Sequence, residues 1–242
     1  MHRSIFVLLA ALLISGCFHR HSRSENAAPT GPRQATVEWL GRGCFLVSSS
    51  IGLSILIDPF DPSATHISAK PGSIQADVVF ITHEDPLANF TDLAAGSPQI
   101  FRTSMATGVN RASGILVRGV RTSSENLAAT NRLNVACVFA MDGVRFCHLG
   151  AIEDAITPSE ALNIGTVDVL FMPAGGPAAF TDAKRLATIE RLRPRIIVPF
   201  PYGGSFERIP GVAGTVHVGS SRFTVSPSTL PTTTTAYVLS GR

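Results

Sequence analysis

The stretch Thr82-His83-Glu84-Asp85-Pro86-Leu87-Ala88-Asn89 follows an apolar run, Asp77-Val78-Val79-Phe80-Ile81, that reads as a buried strand opening into a loop. A histidine and two acids at the mouth of a strand point to a metal site. Imidazole and carboxylate groups fixed at strand ends can hold a zinc-like ion, and the ion makes a bound water acidic enough to attack at neutral pH. A catalytic ion of this kind needs about three protein ligands and an open position. Further along the loop, where more ligands would be expected, stand Leu87 and Ala88, and neither side chain carries a lone pair.

Other chemistries find less support. The chain has no Gly-x-Ser-x-Gly elbow, no phosphate loop and no Cys-x-x-Cys pair. Asp182, Lys184 and Arg185 are spaced as solvated charges on a helix, and His66 and His217 are isolated. The glycines of Pro173-Ala174-Gly175-Gly176-Pro177 and Tyr202-Gly203-Gly204-Ser205 read as turns. Asp58, before Pro59, reads as a turn or loop-anchoring residue. With 45% hydrophobic and 15% charged residues, the chain can build a substantial core and is not a disordered one. The formal charge of +3 draws partly on Arg3, Arg20, Arg23 and Arg33, and no basic, aromatic-interleaved patch follows, so no nucleic-acid partner is expected.

The elements that must hold these residues are mostly strands. Thr36–Gly41, Cys44–Ser49, Leu53–Phe60 and Ala76–Thr82 read as four successive strands punctuated by glycines. Ser97–Arg121 is less regular, with strands at Gln99–Arg102 and Gly114–Val120. Leu133–Ala140 and Val144–Leu149 form a hairpin about Asp142-Gly143. Cys137 and Cys147 flank that turn, and whether they pair depends on register, so buried free thiols are the default for them and for Cys44. Thr157-Pro158-Ser159-Glu160 starts a short helix with a capping box, and Thr181–Leu192 is a longer one stopped at Pro194. Strands at Val167–Pro173 and Arg195–Phe200 follow, and the tail from Thr215 returns to strand. Strands first and mixed elements later imply a single layered α/β domain.

The N-terminus is of another kind. A basic start, an apolar run Ser4–Ile14 and the small-residue ending Ser15-Gly16-Cys17 make a secretory signal too short to span a membrane. Leu13-Ile14-Ser15-Gly16-Cys17 resembles the lipobox of bacterial lipoproteins. That resemblance implies removal of residues 1–16 and lipidation of Cys17, holding the protein to a membrane without a spanning helix. Residues 17–35, polar and rich in Ser and Pro, read as a flexible linker, and His19 and His21 belong to it. Phe18 offers no retention signal, so the expected place is the bacterial cell envelope, leaning to the outer membrane and facing the periplasm.

Taken in order, Val37–Val47, Ile55–Phe60, Asp77–Asp85, Asp142–Gly150, Asp168–Gly176 and Arg193–Tyr202 resemble a metallo-β-lactamase-fold protein, closest to its single-domain, metal-dependent hydrolases. The resemblance implies a single domain over 36–242, a four-layer αββα sandwich with the site at one edge between the sheets. It also implies a pattern Thr-His-x-His-x-Asp-His, a histidine before Leu-Gly-Asp and a last histidine in Pro-x-His-Tyr, together holding two ions. Here His83 and His148 stand at two of those positions. Asp85 replaces the second histidine, Leu87 the aspartate, Ala88 the next histidine, Ala151 the bridging aspartate and Pro201 the last histidine. Arg42 fills a position where relatives often carry histidine.

Every ligand of the second ion is thereby lost, and apolar side chains cannot replace them. The first ion keeps His83 and His148, with Asp85 as a third ligand whose oxygen reaches as far as a histidine's near nitrogen. Pro86, which pushes Asp85 toward extended backbone, works against that set, and so does Ala151 in place of a bridging carboxylate. The expectation is therefore a non-catalytic, lipid-anchored binding or scaffold protein with no cofactor, its cleft receiving an envelope protein or a small molecule. The alternative is a reduced hydrolase of esters, phosphoesters or lactones with one zinc, iron or manganese ion on His83, Asp85 and His148.

Overall fold

The computed structural model describes residues 31–64, 69–122, 133–175, 180–201 and 209–241. The signal segment, Cys17, His19, His21, His66, Gly176, Pro177 and Tyr202–Ser205 lie outside the described residues.

The strands form two large sheets. The first contains β1 (Ala35–Gly41), β2 (Cys44–Ser48), β3 (Ser54–Ile57), β5 (Val78–Ile81), β7 (Gln99–Arg102) and β15 (Arg222–Val225), in the order β15-β1-β2-β3-β5-β7. The second contains β8 (Gly108–Ala112), β9 (Ile115–Arg121), β10 (Val135–Met141), β11 (Val144–His148), β12 (Val169–Ala174), β13 (Ile196–Pro201), β14 (Gly214–His217) and β16 (Thr235–Val238), in the order β14-β16-β13-β12-β11-β10-β9-β8. A short ribbon pairs β4 (Ile74–Gln75) with β6 (Ala94–Ala95).

A period of two decides which way each side chain points. In β3, Ile55 and Ile57 face the second sheet and Leu56 faces away; in β5, Val78 and Phe80 face in while Val79 and Ile81 join Leu56. Across the gap, Phe146 of β11, Phe171 of β12 and Val198 of β13 complete the inter-sheet core. Leu170 and Ile197 instead face α2 (Pro158–Ile164) and α3 (Asp182–Leu192), whose Ile164, Ile189 and Leu192 cover them. The fold is the expected layered α/β sandwich. Among the described residues, the outer face of the first sheet is covered by 3-10 turns at Pro62–Ala64 and Thr91–Leu93 and by the β4–β6 ribbon, not by long helices.

Local signals held where they were strongest. The Thr157 hydroxyl accepts from the Glu160 N–H while the Glu160 carboxylate accepts from the Thr157 N–H, the expected capping box. Ser97–Arg121, read as irregular, contains the short helix α1 (Thr103–Ala106) and a hairpin of β8 and β9. Edge strand β8, Gly-Val-Asn-Arg-Ala, buries only its last residue, so it lacks the alternation that marks a strand. Register settles the thiols. Cys137 sits opposite His148 and faces the inter-sheet core, whereas Cys147 sits opposite Val138 on the helix side. Both are free and buried, as is Cys44, and burial pushes all three thiols up.

A cleft closed over a hydrogen-bonded core

β3 runs parallel to β5, and β11 runs parallel to β12 and β13, so these strands deliver their last residues to one pole of the sandwich. Asp58 follows β3, Thr82 and His83 follow β5, His148 ends β11 and Phe200 lies near the end of β13. The β1–β2 turn adds Arg42 and Gly43. A small cavity of about 120 Å³ opens among them, lined by Arg42, Gly43, Asp58, His83, Asp85, Leu87, Ala88, Gly150 and Phe200.

Asp58 is the centre of this pole. Its backbone takes a left-handed conformation (φ 47°), which aspartate tolerates better than most residues, and its carboxylate is buried. The Thr82 N–H donates to Oδ1 at 2.8 Å and the Thr82 hydroxyl to Oδ2 at 2.6 Å. His83 Nδ1 lies 2.8 Å from the same hydroxyl oxygen, so Thr82 links the carboxylate to the imidazole. Burial pushes the Asp58 carboxyl up to about 7, against the pull of both Thr82 hydrogen bonds.

His148 lies behind that carboxylate, with Nδ1 3.8 Å from Asp58 Oδ2. Both its ring nitrogens are engaged by backbone. Nε2 lies 2.9 Å from the Gly43 carbonyl oxygen, which can only accept, so Nε2 carries the proton. Nδ1 accepts from the Gly150 N–H at 3.0 Å. The partners thus fix a neutral ring with its tautomer assigned. Phe200 stacks on it at 5.0 Å and 13°, and Phe45 and Phe171 pack at 5.8 and 5.6 Å. Loss of solvent in this apolar cage is the main reason its pKa falls to about 3, with the nearby His83 adding to the drop and the Gly43 hydrogen bond opposing it.

Close approach of the loop after β11 makes the arrangement possible. Gly150 has φ +62°, and a Cβ there would lie 2.4 Å from both Asn134 Oδ1 and Thr82 Oγ1. Asn134 pins the loop, donating to the Leu149 carbonyl at 2.8 Å and accepting from the Ala151 N–H at 2.9 Å. Ala151 therefore stands where the resemblance calls for a bridging aspartate, and its N–H serves the same internal network.

Of the expected trio, His83 and Asp85 share one cavity lining while His148 sits behind Asp58, outside it. Asp85 Oδ1 accepts from the Leu87 N–H at 2.9 Å, closing the turn that Pro86 enters. Glu84 is turned outward, where Arg102 grips it through two nitrogens and Asn89 donates to it. Among the described residues no three His, Cys, Asp or Glu side chains converge in a way that could hold a metal ion. In this arrangement the donor set does not fit a hydrolytic ion, because both ring nitrogens of His148 are already engaged, Nε2 by the Gly43 carbonyl and Nδ1 by the Gly150 N–H. Asp58 is the residue whose central role a sequence reading understates. An acid that directly follows the apolar run Ile55-Leu56-Ile57 is carried inward with it, and that was the signal available.

The profile of the beta-lactamase superfamily domain matches residues 36–201. The chain belongs to that superfamily. A UPF0173 metal-dependent hydrolase of Thermococcus onnurineus is 26% identical over 190 residues, spanning 69% of this chain and 84% of that protein. A second protein of the same name, from Archaeoglobus fulgidus, is 23% identical over 197 residues, spanning 69% and 82%. Among solved structures, a Thermotoga maritima protein of the metallo-β-lactamase superfamily, assigned as a Zn-dependent hydrolase, superposes with a TM-score of 0.63 at 22% identity. It covers 85% of this chain and 100% of its own. The relatives of this superfamily member are therefore named as metal-dependent hydrolases, and its fold is theirs.

Proposed function

We propose that this superfamily member is a lipid-anchored envelope protein in which the former metal cleft is a small binding pocket supported by a hydrogen-bonded core, without hydrolytic turnover. The observation that carries the reading is His148, whose two nitrogens serve the Gly43 carbonyl and the Gly150 N–H. To bind an ion, the ring would have to leave at least one of them inside an apolar cage, at a cost of roughly 1–3 kcal/mol for each buried group left unpaired. Leu87, Ala88 and Phe200 line the space where further donors would be needed. What remains at the lip, Arg42 and Asp85 around His83, suits a small polar ligand bearing both a donor and an anionic group.

The names of the relatives favour a second reading, a reduced hydrolase of an ester, phosphoester or lactone holding one divalent ion on His83, Asp85 and His148. Metal content separates the two. Gly31–Arg242 forms one compact unit, so a soluble fragment of residues 18–242 contains the whole of it. After dialysis against zinc, manganese or iron(II), elemental analysis of this fragment is expected to find no ion above that held by a His83→Ala, His148→Ala double variant. Near-stoichiometric metal that disappears in His148→Ala would instead establish the hydrolase reading.

A further inference from the structure

The pole opposite the cleft carries a second feature. β12 and β13 start there, at Val169 and Ile196, and so does β11, so Arg145, Asp168 and Arg195 gather at strand beginnings. Together with Arg193, Thr232 and Thr234 they line an open groove. Its lining has three arginines against one carboxylate, and that carboxylate is already satisfied. Asp168 is gripped by Arg145 through Nε and Nη2, both at 2.7 Å, and also accepts the Arg145 N–H. Arg195 donates to the carbonyls of Pro231 and Thr232, and Arg193 Nε donates to the Glu190 carbonyl at 3.3 Å. Neutral carbonyls orient both guanidinium groups and leave their charge in place. The groove therefore selects for anions, and planar guanidinium groups match phosphate oxygens well.

The direction of the chain says which anion. β1 runs from Ala35 to Gly41 and opens into Arg42 at the cleft, so Ala35 lies at the groove's pole. The described chain therefore enters the sheet on this side. We infer that the arginine groove docks on anionic phospholipid headgroups, turning the cleft away from the bilayer. This rests on the lipid-anchor reading for its orientation. A chain segment spans at most roughly 3.5 Å per residue, so residues 17–30 reach no further than roughly 50 Å. The anchor sets how far the domain can stand from the surface, and the groove supplies the orientation.

The anchor and the groove are tested separately. Labelling of the full chain in cells with radioactive palmitate, absent in Cys17→Ser, tests the anchor. For the groove, the 18–242 fragment is sedimented with vesicles of phosphatidylcholine alone or mixed in equal parts with phosphatidylglycerol. Binding is expected only to the mixed vesicles, weakened by added salt. Each arginine near an anionic surface contributes a factor of roughly five, so Arg193→Glu is expected to weaken binding at least that much. Arg111→Glu on edge strand β8, outside the groove, leaves it unchanged. Among the described residues the Arg193 side chain makes a single long hydrogen bond, and its backbone N–H bond to Ile189 survives substitution, so the variant keeps the fold, which a melting curve checks. Equal binding to both vesicles, no vesicle binding, binding indifferent to Arg193→Glu, or binding of inorganic phosphate without vesicle binding would each overturn the proposal.

Discussion

Replacing His148 by alanine lowers the stability of the domain by on the order of 4 kcal/mol and leaves its metal content unchanged. The loss has two sources. The Gly150 N–H and the Gly43 carbonyl, both bonded to the ring, lose their partners in a dry interior. The ring is fully buried among Phe45, Phe171 and Phe200, so its removal also leaves a hole that close-packed aromatics cannot easily fill. For a domain of this size the melting temperature falls by about 10 °C. Partial rescue identifies the cause. The oxygen of His148→Asn lies where Nδ1 was and can accept from Gly150, while the amide of His148→Gln reaches as far as Nε2 and can donate to Gly43. Each is expected to lose less than alanine does, as read by urea unfolding. Alanine, asparagine and glutamine variants of equal stability would show that the hydrogen bonds are not what the ring contributes.

Asp58→Asn is expected to gain on the wild type as pH rises, by on the order of 4 kcal/mol between the ordinary aspartate value and neutrality. The folded carboxyl is pushed up to about 7 from 3.8, so through that range the folded chain keeps a proton that the unfolded chain has released. Its stabilising contribution is full below pH 3.8 and is lost as pH climbs to about 7. The amide retains Oδ1 for the Thr82 N–H and offers an N–H where the protonated acid offers an O–H, so it resembles the acid form at every pH. His148 works in the opposite sense. Its folded value of about 3 lies below 6.5, so its contribution is full above pH 6.5 and lost as pH falls to about 3. The two slopes oppose each other in the wild type from pH 3.8 to 6.5, and removing the Asp58 one exposes the other. Unfolding curves of both proteins across this range check it, and parallel curves would contradict it.

The layers of this fold were legible because β3, β5, β12 and β13 are near-continuous apolar runs, the mark of strands covered on both faces. Caps were legible for the same reason, since the signal at Thr157–Glu160 is local. Edge strand β8 was not, because solvent-exposed edges carry no alternation. The site was half legible. His83, Asp85 and His148 could be picked out by residue type and order, and the gaps at Leu87, Ala88, Ala151 and Pro201 could be seen. The direction in which His148 spends its nitrogens could not, since Gly43 is more than a hundred residues away in the chain. The weight of Asp58 was likewise hidden, because only the folded backbone brings it between two histidines.

The most direct test of the central claim is nitrogen NMR of the His148 imidazole in the 18–242 fragment, assigned by comparison with His148→Gln and recorded with and without excess zinc. The expected spectrum has a proton on Nε2, a bare Nδ1, no titration through the usual histidine range, and no change when zinc is added. A ring that titrates near 6.5, or whose nitrogen signals shift on zinc addition and return with a chelator, would contradict it and restore His148 to a metal site.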